Sequence, residues 1–339
     1  MSHTSEVDCE SEILSESAIR VLSLFSGCGG MDLGMEGGFE FLDGAYERLT
    51  TETVGAVEFD PQIASLYRSN FSTPLMVGDI RDIAAEVLPE HDILTGGFPC
   101  QSFSIVAQNP PRLGHDDEKG KLYFEMCRIL NHHKPEAFIA ENVKGLMTAN
   151  GGTAFPLIVE EFESCGYYVK WKLLHAENYG VPQKRRRVFI VGFRDAKAAE
   201  EFSFPVPTHE DGRAVLGDVL EPSWSIPEEY YFSDKAIQGL SNSRLSKVMK
   251  KGRVQDHESP CNTVGAHLAK RSLNSTDPVV RTGGRVRMFT PREVARIQSF
   301  PENFKLGGVK TTDYRALGNA VPPVLMWHVA KSVLLALRR

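Results

Sequence analysis

The six cysteines (Cys9, Cys28, Cys100, Cys127, Cys165 and Cys261) form no CxxC pair, which argues against a zinc site, and no metal is expected. No apolar run approaches the roughly 20 residues of a membrane-spanning helix. Residues 1–16 have neither the basic start nor the apolar stretch of a secretory signal. Together these absences point to a cytoplasmic chain whose cysteines are free thiols. Internal repeats are also missing. Basic charge is scarce overall: the net charge of −6 looks wrong for a nucleic-acid partner. The average hides an asymmetry, because residues 241–339 carry 18 lysines and arginines against 6 acidic residues, leaving 20 against 38 in residues 1–240. A basic C-terminal third suits contact with phosphates, although chance segregation of solvated charge would look the same.

What is present follows an α/β rhythm. Residues 1–18 are polar and acidic and read as a flexible tail. Strand-like runs at 19–24, 54–57, 75–77, 93–95 and 137–140 alternate with helical segments, including 61–70 and 122–131. Later strands are expected at 167–174 and 187–193, and an amphipathic helix at 324–337. Strands alternating with helices imply a doubly wound, mostly parallel sheet. The expected organisation is a large domain over 19–204, completed by C-terminal residues 312–339, with a smaller, irregular domain over 205–311.

Several motifs fall at the ends of these strands. Phe25-Ser26-Gly27-Cys28-Gly29-Gly30 follows the first strand, where glycines let the backbone turn sharply and approach a ligand. Glu58 ends the second strand, the place of an acidic residue that holds a ribose. Asp79 follows the third and could accept a hydrogen bond from an adenine amino group. This set fits many adenosine cofactors, a dinucleotide among them. Cys100, in Gly96-Gly97-Phe98-Pro99-Cys100-Gln101-Ser102-Phe103-Ser104, sits just past the fourth strand, at the edge where such folds place their active sites. It reads as an exposed nucleophile, whereas Cys127 and Cys165 read as inert buried residues. Glu141-Asn142-Val143 ends another strand, and Gln183-Lys184-Arg185-Arg186-Arg187 enters a later one; its basic side chains could hold phosphates and a base carbonyl.

The order of these blocks, followed by Phe289-Thr290-Pro291-Arg292-Glu293-Val294 and Gly318-Asn319-Ala320-Val321-Pro322-Pro323, resembles the DNA cytosine-5 methyltransferase family of bacterial restriction-modification type. The resemblance runs from about Val21 to the C-terminus and is weak only near 205–280. It implies a Rossmann-like methyltransferase fold with S-adenosylmethionine as methyl donor, held by Phe25, Ser26, Gly27, Gly29, Gly30, Glu58, Phe59, Asp79, Ile80, Pro99, Asn319 and Val321. It implies Cys100 as nucleophile and Glu141 as acid. Arg187 would bind the cytosine O2, Arg185 a phosphate or the catalytic loop, and Asn142 would orient the site. Gln101, Ser104, Thr263, Arg253 and Lys251 are expected at the DNA, with Lys247, Lys250, Lys270 and Arg271 as further phosphate contacts. Residues 104–119 resemble the family's closing loop. A monomer acting on flipped-out cytosines in double-stranded DNA is implied, with a cognate restriction endonuclease as a possible companion. A transfer-RNA cytosine-5 methyltransferase and a catalytically idle DNA-binding regulator are the alternatives.

Overall fold

A computed structural model describes residues 17–99, 122–210, 214–235, 237–238, 253–269 and 277–338. Along the chain, β1 (Ile19–Leu24) leads to helix α1 (Gly30–Glu36), a hairpin of β2 (Phe39–Phe41) and β3 (Gly44–Tyr46), then β4 (Thr51–Glu58). Helix α2 (Pro61–Asn70), β5 (Leu75–Val77), β6 (Ile93–Gly96), α3 (Leu122–His133), β7 (Ala137–Val143), α4 (Ala154–Ser164) and β8 (Tyr168–His175) follow. The two-residue β9 (Gln183–Lys184) precedes β10 (Arg186–Phe193) and α5 (Ala196–Glu201). The smaller region contributes β11 (Val254–Gln255), β12 (Cys261–Asn262), β13 (Val279–Thr282) and β14 (Arg285–Arg287). Three helices close the chain: α6 (Pro291–Ile297), α7 (Lys310–Asn319) and α8 (Pro323–Leu337).

Seven strands form one sheet in the order β5-β4-β1-β6-β7-β10-β8. The pairings from β5 to β7 are parallel, while β10 runs antiparallel to both of its neighbours. The chain winds outward from β1 to β5 and then returns to β6 on the other side of β1. The switch point between β1 and β6 is where such sheets open a ligand crevice. Both faces are covered, so the central strands are apolar on alternate sides. Val21, Ile93, Ala137 and Ile139 join one core with α1, α2 and α8, whereas Leu22, Leu94, Phe138 and Ala140 join the other with α3 and α4. The observed sheet is the doubly wound one expected, with β10 as its reversed member. The β2–β3 hairpin was not anticipated, because three-residue strands leave too short a pattern to read.

Helix α8 departs from the expected amphipathic helix. Ten of its residues are buried, including Val324, Leu325, Met326, Val329, Ala330 and Val333. Only a narrow face through His328, Lys331 and Leu335 stays open. By length and composition, Lys310–Leu337 could cross a membrane, yet 72% of that apolar window is buried within the fold. α8 lies on α1, and the approach is tight. A Cβ on Gly34 would sit 2.5 Å from Met326 Cβ and 2.7 Å from the Pro323 carbonyl oxygen. One on Gly30 would sit 2.3 Å from the Val321 carbonyl oxygen. The two ends of the chain thus meet backbone to backbone beside the first glycine-rich turn. Overfilling a packed interface typically costs about 1–3 kcal/mol, so Gly34→Val should lower the unfolding free energy by about 3 kcal/mol in urea denaturation. An unchanged midpoint would show that α1 and α8 are not in this contact.

Candidate active site

The turn after β1 is built from left-handed backbone. Phe25, Gly27 and Gly29 have φ of 55°, 58° and 88°. A Cβ on Gly29 would collide with the Phe71 ring at 2.1 Å, so both conformation and space require glycine there. Ser26 is buried and its Oγ donates to the Val57 carbonyl oxygen at 3.3 Å. Glu58, at the end of the neighbouring β4, accepts from the Gly27 N–H at 2.9 Å and the Asp60 N–H at 2.8 Å. Burial raises its pKa, opposed by those two backbone donors. Phe59 beside it is 69% exposed, a large aromatic face with no covering side chain to account for it. Ile80 is buried, and Asp79 holds Arg81 in an ion pair at 2.5 Å, which lowers its pKa. Asn319 is exposed at the end of α7, Val321 is buried, and Pro99 is exposed three residues past the end of β6.

A second group gathers at the ends of β6, β7 and β10. Glu141 faces Phe189 across the antiparallel ladder, and Arg187, two residues back along β10, shares its face. Diagonal neighbours on one face are within reach of long side chains. Arg187 Nε accordingly lies 2.8 Å from Glu141 Oε1. The approach is an ion pair off the hydrogen-bond axis, so Glu141 Oε1 accepts no aligned hydrogen bond from a described residue. Glu141 is 7% exposed; burial raises its pKa, and the charges of Arg187 and Arg185 pull it back. Asn142 Nδ2 donates to the Phe98 carbonyl oxygen at 2.8 Å, two residues before Cys100. The reversal of β10 makes this possible. Its N-terminal end lies beside the C-terminal end of β7, where a parallel strand would have carried its arginines to the opposite edge.

The family model described as C-5 cytosine-specific DNA methylase matches residues 19–334. The chain belongs to that family. It is 35% identical to the type II methyltransferase M.NgoFVII of Neisseria gonorrhoeae, over 94% of this chain and 87% of that one. It is 33% identical to the type II methyltransferase M.Bsp6I of Bacillus sp. (strain RFL6), over 93% and 98% respectively. Its fold is also that of Entamoeba histolytica methyltransferase EhMeth, with a TM-score of 0.73 at 17% identity, covering 96% and 100% of the two chains. The activity of this DNA methylase is accordingly that of a DNA (cytosine-5-)-methyltransferase.

In this methylase Cys100, Gln101, Ser104, Lys251 and the 104–119 segment lie outside the described residues, as do Lys247, Lys250, Lys270 and Arg271. Arg185 is not open to the phosphate expected of it, and the alternative, a contact with the catalytic loop, falls on residues outside those described. It is completely buried, with Nη1 on the Val264 carbonyl oxygen at 3.2 Å and Nη2 on those of Gly318 and Ala320 at 3.1 and 2.7 Å. Burial pulls its pKa down, the like charge of Arg187 adds to this, and Glu141 opposes. Thr263 Oγ1 donates to the Lys184 carbonyl oxygen at 2.7 Å, which fixes it beside β9. Arg253 is partly buried, with Nε on the Asp277 carbonyl oxygen at 3.0 Å.

Two features escaped the sequence. Gln183 and Gln298 form a buried amide pair, Nε2 to Oε1 at 2.7 Å, and Gln183 Oε1 accepts from the Val264 N–H at 3.0 Å. Asp32, in the first turn of α1, is 1% exposed; Tyr67 donates to its Oδ1 at 3.1 Å, and Oδ2 has no partner among the described residues. Residue type at a helical position signals neither burial nor pairing. Burial pushes the Asp32 pKa up to about 7 against hydrogen bonds from Ser23 and Tyr67. The folded chain therefore holds this proton more tightly than the unfolded chain. The stability so gained is complete below the unfolded carboxyl pKa and is lost as pH rises through about 7. Denaturation of wild type and Asp32→Asn at pH 4 and pH 8 should shift the difference in favour of asparagine by about 2–4 kcal/mol. A difference independent of pH contradicts the buried, proton-holding state.

Proposed function

We propose that the protein methylates C5 of cytosine in double-stranded DNA through a covalent Cys100 adduct. The observation that carries this reading is the buried Glu141, ion-paired to Arg187 at the sheet edge where Asn142 fixes the Phe98 carbonyl just ahead of Cys100. Cytosine C5 is a weak nucleophile, and the ring needs activation. The Cys100 thiolate adds to C6, forming the S–C6 bond, while Glu141 holds a proton at N3 to receive the displaced ring electrons. Arg187, beside Glu141, binds the O2 carbonyl and stabilises the charge that develops there. After C5 has accepted a methyl group, loss of its proton returns the electrons to the ring and expels the Cys100 thiolate. A raised carboxyl pKa is what proton holding requires, and burial of Glu141 pushes it that way.

The residues at the switch point suit S-adenosylmethionine. The Glu58 carboxylate is held at the end of β4 beside a turn whose glycines leave room for a ligand, and the exposed Phe59 ring offers a face to an adenine. Glu58 would hold the ribose hydroxyls, with Val321 and Asn319 closing the site from the far end of the chain. When bound, the cofactor supplies an electrophilic methyl group. The target carbon is stacked inside a duplex, so the cytosine must be flipped out to reach Cys100. Thr263 and Arg253, in the 205–311 region read as the target-recognition domain, would contact DNA, together with Lys251, Gln101 and Ser104. The enzyme would act as a cytoplasmic monomer, and its type II relatives suit a restriction endonuclease acting on the same site.

Transfer of labelled methyl from S-adenosylmethionine to unmethylated genomic DNA should yield 5-methylcytosine in one short context on bisulfite sequencing. Cys100→Ser should abolish the signal, and Glu141→Gln should slow it by about 10²–10⁴-fold, the usual contribution of a positioned acid. No label on DNA from protein that binds cofactor sinks the DNA reading, and label on transfer RNA would replace it.

A further inference from the structure

The buried guanidinium of Arg185 touches two parts of the chain that the proposed function assigns to different ligands. Its Nη1 binds the carbonyl of Val264, next to Thr263 on the DNA side, and its Nη2 binds the carbonyls of Gly318 and Ala320, which flank Asn319 on the cofactor side. The two turns are in backbone contact. A Cβ on Gly318 would lie 2.3 Å from the Gly265 carbonyl carbon and 2.5 Å from the Ala266 nitrogen. The glutamine pair runs alongside, since Gln298 Nε2 also donates to the Leu317 carbonyl while Gln183 Oε1 receives the Val264 N–H. Val321 continues this junction to the glycine-rich turn through its contact with Gly30.

We propose that Arg185 is a positioning residue that couples cofactor binding to the geometry of the target-facing 263–266 turn. The proposal rests on the cofactor and DNA assignments above and adds the link between them. A guanidinium is a rigid planar fork, so it cannot follow a shift of the 318–321 turn without shifting its hydrogen bond to Val264. Ordering of Asn319 and Val321 around a ligand therefore orders Thr263 and Val264. By linkage, a DNA contact at Thr263 strengthens cofactor binding by the same factor. A lysine in this place offers one ammonium on a flexible stem and cannot hold carbonyls on both turns in a fixed geometry.

The test is amide hydrogen exchange across residues 263–266, with and without S-adenosylhomocysteine and without DNA, on the full chain. In the wild type the ligand should slow exchange there by about tenfold, within the usual range of coupling between sites. In Arg185→Lys, ligand affinity by calorimetry should stay within about threefold while the protection falls to less than a third of its wild-type value. Ligand binding to the wild type without protection at 263–266 overturns the coupling. Undiminished protection in the lysine variant also overturns it, and so does a joint loss of affinity and protection, which would reduce Arg185 to a support for the 318–321 turn. Should the lysine variant not fold, the wild-type measurement decides alone. Absence of S-adenosylhomocysteine binding to the wild type would sink the cofactor assignment itself, an outcome distinct from all of these.

Discussion

One buried cation organises the junction on which the site depends. The Arg185 guanidinium has no contact with solvent and spends two of its nitrogens on carbonyls from the 264 and 318–320 segments. Val264 lies in irregular backbone and Gly318 and Ala320 at the C-terminal end of α7, where carbonyls lack the helical partner of an interior turn. Leaving such groups unpaired costs about 1–3 kcal/mol each, so a multidentate donor is what lets turns cross there at all. Arginine suits the place because it carries its donors in one plane and keeps its charge when buried. The same residue begins the approach to β10, so the junction and the catalytic edge are set by three consecutive positions.

The antiparallel course of β10 then does for the Glu141–Arg187 pair what the junction does for the turns. Glu141 lies near the end of β7, and in a fully parallel sheet the start of any neighbouring strand would lie some five residues away at the opposite edge. Reversal brings Arg187 to the diagonal position instead. A fold that places its site at the carboxyl ends of strands gains access in this way to side chains from a strand's beginning.

Much of this was legible in the sequence. The strand–helix alternation, the glycine turn after β1 and the acidic residue ending β4 are local patterns, and local patterns carry the doubly wound sheet and its crevice. Family resemblance named Glu141 and Arg187, and the structure sets them together. The direction of β10 was not legible, because a strand reads the same whichever way it pairs. The burial of Arg185 was hidden for a related reason. It sits in a run of four basic residues, and alternation along an extended segment buries one while Arg186 is exposed. Helix α8 keeps one narrow open face through His328, Lys331 and Leu335, and how deeply the rest is buried was not legible.

The clearest case of chemistry that residue types conceal is the contrast between two buried arginine–glutamate pairs. Arg287 and Glu293 are both completely buried, and the Glu293 carboxylate accepts two guanidinium hydrogen bonds at 2.7 Å together with the Thr290 and Glu221 N–H groups at 2.9 Å. Every oxygen is saturated, and the pair fastens α6 to β14. Glu141 is nearly as buried, but its arginine approaches off axis and no backbone donor joins it. Desolvation then outweighs ion pairing, and the Glu141 pKa is raised. Each pair consists of the same two residue types in the same low-dielectric surroundings. What separates the two carboxylates is the number of aligned donors around each, and that number is set by the fold.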